Sequence, residues 1–169
     1  MTKSKIVLFF ASGILIVFLV FVVWYNYKYG MSQIDAFEIN VPCYEQKIVI
    51  ATQGSPFKNA ITKKIVNHYR SDSIYMKIIN VEDLQTIDPE NYNAVIIIHT
   101  WENLKPPMTV VDFFNKIGKE QNNVIVLTTS GQGYYKMQEV DAITGESRLD
   151  NVNVYTRQII EKVNSLLSK

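Results

Sequence analysis

The sequence predicts an α/β domain built on a parallel sheet and preceded by one apolar helix. Three observations carry this. From Lys47 onward, short aliphatic and β-branched runs alternate with amphipathic helical patterns, the signature of strand–helix–strand units. The connections between these runs are short, as such units require. Before them, Ile6 to Tyr25 reads IVLFFASGILIVFLVFVVWY, without a charge or a proline.

Taking the chain in order, residues 1–5 form a short tail and residues 6–25 a transmembrane helix. Twenty residues in a helix span roughly 30 Å, the thickness of a bilayer's hydrocarbon core. A helix also satisfies every backbone donor and acceptor there. Trp24, Tyr25, Tyr27 and Tyr29 cluster at the far end, where amphipathic rings favour the headgroup level. The competing reading is a cleaved signal peptide, whose apolar region is shorter and ends in small residues. Here bulky aromatics stand where cleavage would fall. Lys3 and Lys5 precede the helix, and Lys28 alone closely follows it. This bias predicts a cytoplasmic N-terminus and an extracytoplasmic domain at the cell membrane.

Residues 26–46 read as a tether that adds a short strand or lies against the domain, which then occupies 47–169. KIVIAT (47–52) is a buried strand, and Phe57 to Tyr69 a helix. In that helix Ile61, Ile65 and Tyr69 share one face, while Lys58, Lys63 and Lys64 take the other. IYMKIIN (74–80), NAVIIIHT (93–100) and NNVIVLTTS (122–130) are further strands. Pro106 and Pro107 open a helix through Ile117. A fifth strand falls at Met137 to Ile143, where the pattern is weakly apolar. Asn151 to Leu167 closes the domain as a helix with Val152, Tyr155, Ile159, Val163 and Leu166 in one stripe.

Composition removes several function classes. The chain carries 17 basic and 16 acidic side chains, net charge +1. It lacks the basic surplus that nucleic-acid binding uses to displace counterions. One cysteine, Cys43, and two distant histidines, His68 and His99, form no metal-ligand pattern. Ser130 lies in TSGQG, which is not the GxSxG elbow of a hydrolase.

In an open α/β sheet, ligands bind beyond the carboxyl ends of the strands. That rule selects the loops 52–59, 99–106 and 129–136. The first, TQGSPFKN, runs from a buried strand into a helix N-terminus, where free amides favour an anion. Thr52, Ser55, Lys58 and Asn59 add donors and charge. The same residues also suit a plain turn, with Ser55 capping the helix and Pro56 at its first position.

Gly54 to Thr62, GSPFKNAIT, resembles the phosphate loop GSPRKNxNT of flavodoxin-fold FMN reductases, agreeing at Gly54, Ser55, Pro56, Lys58, Asn59 and Thr62. IIIHTWENLKPPMTVVDFF and VIVLTTSGQG are similar to the next two strand–loop segments of flavodoxins. The resemblance covers residues 47 to about 135. It implies a flavodoxin-like three-layer sandwich with parallel sheet order 2-1-3-4-5. It also implies non-covalent FMN, with phosphate at Thr52, Gly54, Ser55, Lys58 and Asn59. The flavin ring would lie among Thr100, Trp101, Thr129, Ser130, Gly131 and Tyr134, with Trp101 and Tyr134 stacking. The chain departs from flavodoxins at His99, which replaces a small residue, and lacks proline after Thr100. Asp141 to Ser147, DAITGES, resembles the Dxx[ST]GA[TS] sequence that carries FMN as a phosphoester, with Ser147 as acceptor and Glu146 breaking the pattern. A strand end and turn, with Asp150 capping the last helix, is the plainer reading.

The expected function is FMN-linked electron transfer, or flavin or quinone reduction, at a membrane surface. Its partners would be the lipid bilayer, flavin and a redox protein, without nucleic acid. The alternative is a cofactor-free flavodoxin-like module for interaction or assembly, tethered to the membrane.

Overall fold

The computed structural model describes residues 3–29, 32–118 and 122–168. The chain divides into two compact units, Met1–Met31 and Ser32–Lys169.

The described residues of the first unit form one helix, α1 (Lys3–Tyr29). Its segment Val7–Tyr25 has a mean hydropathy of 2.9 and is long and apolar enough to cross a membrane. Apolar side chains are exposed all round it, from Val7 and Leu8 to Trp24 and Tyr25. A helix without a polar face has no side to turn toward water.

In the second unit the elements run β1 (Phe37–Ile39), β2 (Gln46–Thr52), α2 (Pro56–Tyr69), β3 (Ile74–Asn80), β4 (Ala94–Thr100), α3 (Met108–Ile117), β5 (Val124–Thr129), β6 (Ala142–Gly145) and α4 (Val152–Leu167). The sheet differs from the one expected. It has six strands, ordered β1-β3-β2-β4-β5-β6, and it is mixed. The strands from β2 to β6 pair in parallel and among themselves keep the flavodoxin arrangement. The addition is β1, antiparallel to β3 with Phe37 opposite Ile78 and Ile39 opposite Met76. Met76 and Ile78 are fully buried, so the outer edge of β3 would leave an apolar strand's amides open to foreign pairing. The segment read as tether covers that edge. Asn40, at φ 64°, turns the chain away, and its side-chain amide donates to the Ile74 carbonyl at 2.8 Å.

Both faces of the sheet are covered, giving three layers. On one side α2 and α4 pack Phe57, Ile61, Ile65, Val152, Ile159 and Val163 against Ile48, Ile50, Ile96, Ile98 and Leu127. Tyr69 ties the two helices together by donating to Asn164 Oδ1 at 2.8 Å. On the other side α3 and a 3-10 turn over Val81–Thr86 pack Val110, Phe113, Val81 and Leu84 against Val49, Ala51, Val95 and Ile97. From Ala94 to Ile98 every residue of β4 is fully buried. Each of the Val and Ile side chains among them contributes roughly 1.5–3 kcal/mol by leaving water.

The connection from β5 to β6, residues 130–141, crosses over without a helix. The fifth parallel strand therefore begins later than its sequence suggests: Glu139 takes φ 60°, Val140 turns into the core, and only Ala142–Gly145 pairs with β5.

Candidate functional site

The carboxyl ends of the parallel strands bring together Thr52 to Ser55, Thr100 to Lys105, Thr129 to Tyr135 and Gly145 to Ser147. Gln53 connects two of these loops. Its side-chain oxygen accepts from the Thr100 amide at 2.7 Å, and its side-chain nitrogen donates to Glu102 Oε1 at 3.3 Å. A row of hydroxyls joins two more. Ser147 Oγ donates to Thr129 Oγ1 at 2.8 Å, and Thr129 Oγ1 lies 2.8 Å from Thr100 Oγ1.

The first loop is satisfied by the chain itself. The Gly54 amide donates to the Ser32 carbonyl at 2.6 Å, and the Ser32 amide donates back to the Gly54 carbonyl at 3.1 Å. The two backbones approach so closely that a Cβ on Gly54 would sit 2.6 Å from the Ser32 carbonyl oxygen. Ser55 is the N-cap of α2, accepting from the Lys58 amide at 3.2 Å, and its carbonyl accepts from the Asn59 amide at 2.8 Å. Pro56 has no amide hydrogen to offer. Thr52 Oγ1 donates to the Gln53 carbonyl, and the Asn59 side chain stands exposed on α2.

Lys58 does not join Lys63 and Lys64 on the solvent side of α2. It is fully buried, because the first turn of α2 lies against the strand-end loops rather than against water. Burial pushes its ammonium down to about 8, with the Glu102 carboxylate opposing. His99 is buried on β4 with 1% exposure, and its Nδ1 has no hydrogen-bond partner. Desolvation pushes it down to about 4. The Thr100 backbone contact opposes this shift and the nearby Lys58 charge reinforces it. At neutral pH the imidazole is uncharged.

Trp101 stacks face to face on Tyr135, the neighbour of Tyr134: their ring centroids are 5.2 Å apart with planes at 12°. Tyr134 packs beside Tyr135 at 4.9 Å, is 62% exposed and donates to the Gln132 side chain. Along the expected ring edge, the Trp101 amide donates to the Thr129 carbonyl and the Ser130 amide to the Gly145 carbonyl. Gly131 is exposed, with open space where a Cβ would be. At the second resemblance, Asp150 does not cap α4. Its side chain is 87% exposed near Arg148, and the N-cap Asn151 makes no side-chain capping bond.

These residues do not fit FMN as they stand. A planar ring inserted between Trp101 and Tyr135 needs their planes about 7 Å apart, two carbon contact distances. The pair is closed to less than that. The loop that would hold the phosphate has its Gly54, Lys58 and Asn59 amides committed. Sequence reasoning missed Ser32, Gln53 and Tyr135. Only the adjacency of Tyr135 to Tyr134 signalled one of them.

No protein-family model matches the sequence, and no curated protein matches it. Among solved structures, a flavodoxin from the domain Archaea aligns at 12% identity with a TM-score of 0.48, over 72% of this chain and 99% of that one. The fold assignment rests on the strand order and layers described above.

Proposed function

We propose that this chain is a membrane-tethered flavodoxin-like module whose strand-end face serves interaction or assembly, not constitutive flavin redox chemistry. The observation that carries the reading is double closure of the site. Ser32 occupies the Gly54 amide, and Trp101 stacks directly on Tyr135. The apolar span of α1 supports a retained anchor, and Lys3 and Lys5 ahead of it support an extracytoplasmic domain.

The test is the visible spectrum of the full chain purified in mild detergent, followed by titration with FMN. The reading expects a colourless protein that leaves micromolar FMN fluorescence unquenched. A yellow protein as isolated would overturn it.

One observation favours the second reading, FMN-linked redox chemistry. Trp101 and Tyr135 come from two different loops and lie nearly parallel, so a flavin could enter by separating them. Such a pair contributes only about 0.5–1.5 kcal/mol beyond its buried area. Under that reading, the protein would hold and orient the cofactor while the flavin carried the electrons. Saturable FMN quenching lost in Trp101→Ala would establish it.

A further inference from the structure

Leu104 is an unusual residue for its place. Glu102 and Lys105 close a tight turn, each amide donating to the other's carbonyl at 2.9 and 3.0 Å. The two residues between them, Asn103 and Leu104, have φ of 50° and 62°. Asparagine suits the first of these positions, but glycine is the residue preferred at the second. A leucine there incurs a steric cost, and being 69% exposed it gains no core packing in return. Nearby, Met108 at the start of α3 is 67% exposed and Tyr134 62%. Tyr134 continues through Tyr135 to Trp101 as one aromatic cluster.

This end of the sheet is also where the folded unit begins. Ser32 is bridged to Gly54, and the neighbouring Gln53 is hydrogen-bonded to Glu102 at the base of the turn. Six residues separate Ser32 from the end of the span Val7–Tyr25, which is long and apolar enough to cross a membrane. We propose that the tips carrying Leu104, Met108 and Tyr134 seat in the lipid surface, at the boundary between headgroups and acyl chains. This rests on the reading that α1 is retained as an anchor. Tyrosine and tryptophan favour that boundary, since one end of each is apolar and the other polar. The exposed charges on these loops show no basic surplus, with Lys105 and Lys136 against Glu102, Glu139 and Asp141. The contact is therefore apolar and independent of anionic lipid.

The test uses the full chain with Cys43→Ser, one copy per nanodisc of neutral phosphatidylcholine. A single cysteine carries an environment-sensitive fluorophore at Leu104→Cys, at Asp72→Cys or at Ile14→Cys. Asp72 precedes β3 at the opposite end of the sheet, and Ile14 lies within α1. Docking gives blue-shifted emission and several-fold quenching by nitroxide lipid at 104 and at 14, with water-like emission at 72. Neutral and anionic discs then agree within twofold. Quenching at 14 with none at 104 overturns the docking while leaving the anchor intact. A blue shift at 104 without nitroxide quenching assigns the patch to protein contact and overturns it too. Absence of quenching at 14 overturns the anchor itself, and the docking with it.

Discussion

Adding one methyl group at Gly54 tests whether the Ser32 strap holds the first strand-end loop closed. In Gly54→Ala the new Cβ would lie 2.6 Å from the Ser32 carbonyl oxygen, a backbone atom that cannot rotate away. The strap must therefore shift, and the two bonds it shares with Gly54, at 2.6 and 3.1 Å, are lost or badly strained. At about 0.5–1.5 kcal/mol each, their loss amounts to about 1–3 kcal/mol. By hydrogen exchange the Ser32 amide should lose protection by roughly 5–150-fold. If the strap is cooperative with the domain, the melting temperature should also fall by roughly 4 °C per kcal/mol. Gly131→Ala is the matched control, because nothing lies within 4 Å of its Cβ position. It should leave both readouts within error. Wild-type protection at Ser32 in Gly54→Ala, or an equal loss in Gly131→Ala, would refute the argument.

Gly145→Ala would drive its Cβ into the hydroxyl and ring of Tyr155, whose Cε1 would be 3.1 Å away. Overpacking of this kind costs roughly 1–3 kcal/mol, so a clear drop in denaturant midpoint is expected. His99 binds its proton less well folded than unfolded, so the folded chain carries fewer protons between about pH 4 and 6.5. Stability must then fall as pH drops through that window, by about 3 kcal/mol, and His99→Leu should flatten this part of a urea-melt series. Lys58 follows the same sign at higher pH. Stability should rise from about pH 8 toward the ordinary lysine value of 10.5, and Lys58→Met should remove that rise. Tyr69→Phe removes the bond to Asn164 and should lower stability by about 1 kcal/mol, seen as a shifted midpoint with unchanged m.

The parts of the fold that were legible in the sequence are those buried on both faces. β2, β4 and β5 carry continuous aliphatic runs, and β3 a largely apolar one interrupted by Lys77, because helices cover the sheet above and below. The edges were harder to read. β1 has three residues, two of them exposed, and β6 has four, mostly half-buried. Neither is long enough to establish a period. Helical spacing grouped Lys58 with Lys63 and Lys64, but spacing does not register that the first turn of α2 faces loops. Trp101 was legible as an aromatic at a strand end. Its partner was not, because Tyr134 and Tyr135 are adjacent and only the turn decides which ring faces it. Ser32 was beyond reach, since its pairing with Gly54 joins segments distant in sequence and uses backbone atoms that every residue has.

The most direct test of the closed strand-end site is the backbone amide of Gly54, followed by nitrogen-15 NMR in the full chain while FMN is added. If Ser32 holds that amide, it will exchange slowly, and its resonance will not move at millimolar FMN. An amide that exchanges freely, or shifts saturably as the cofactor is added, would contradict the account.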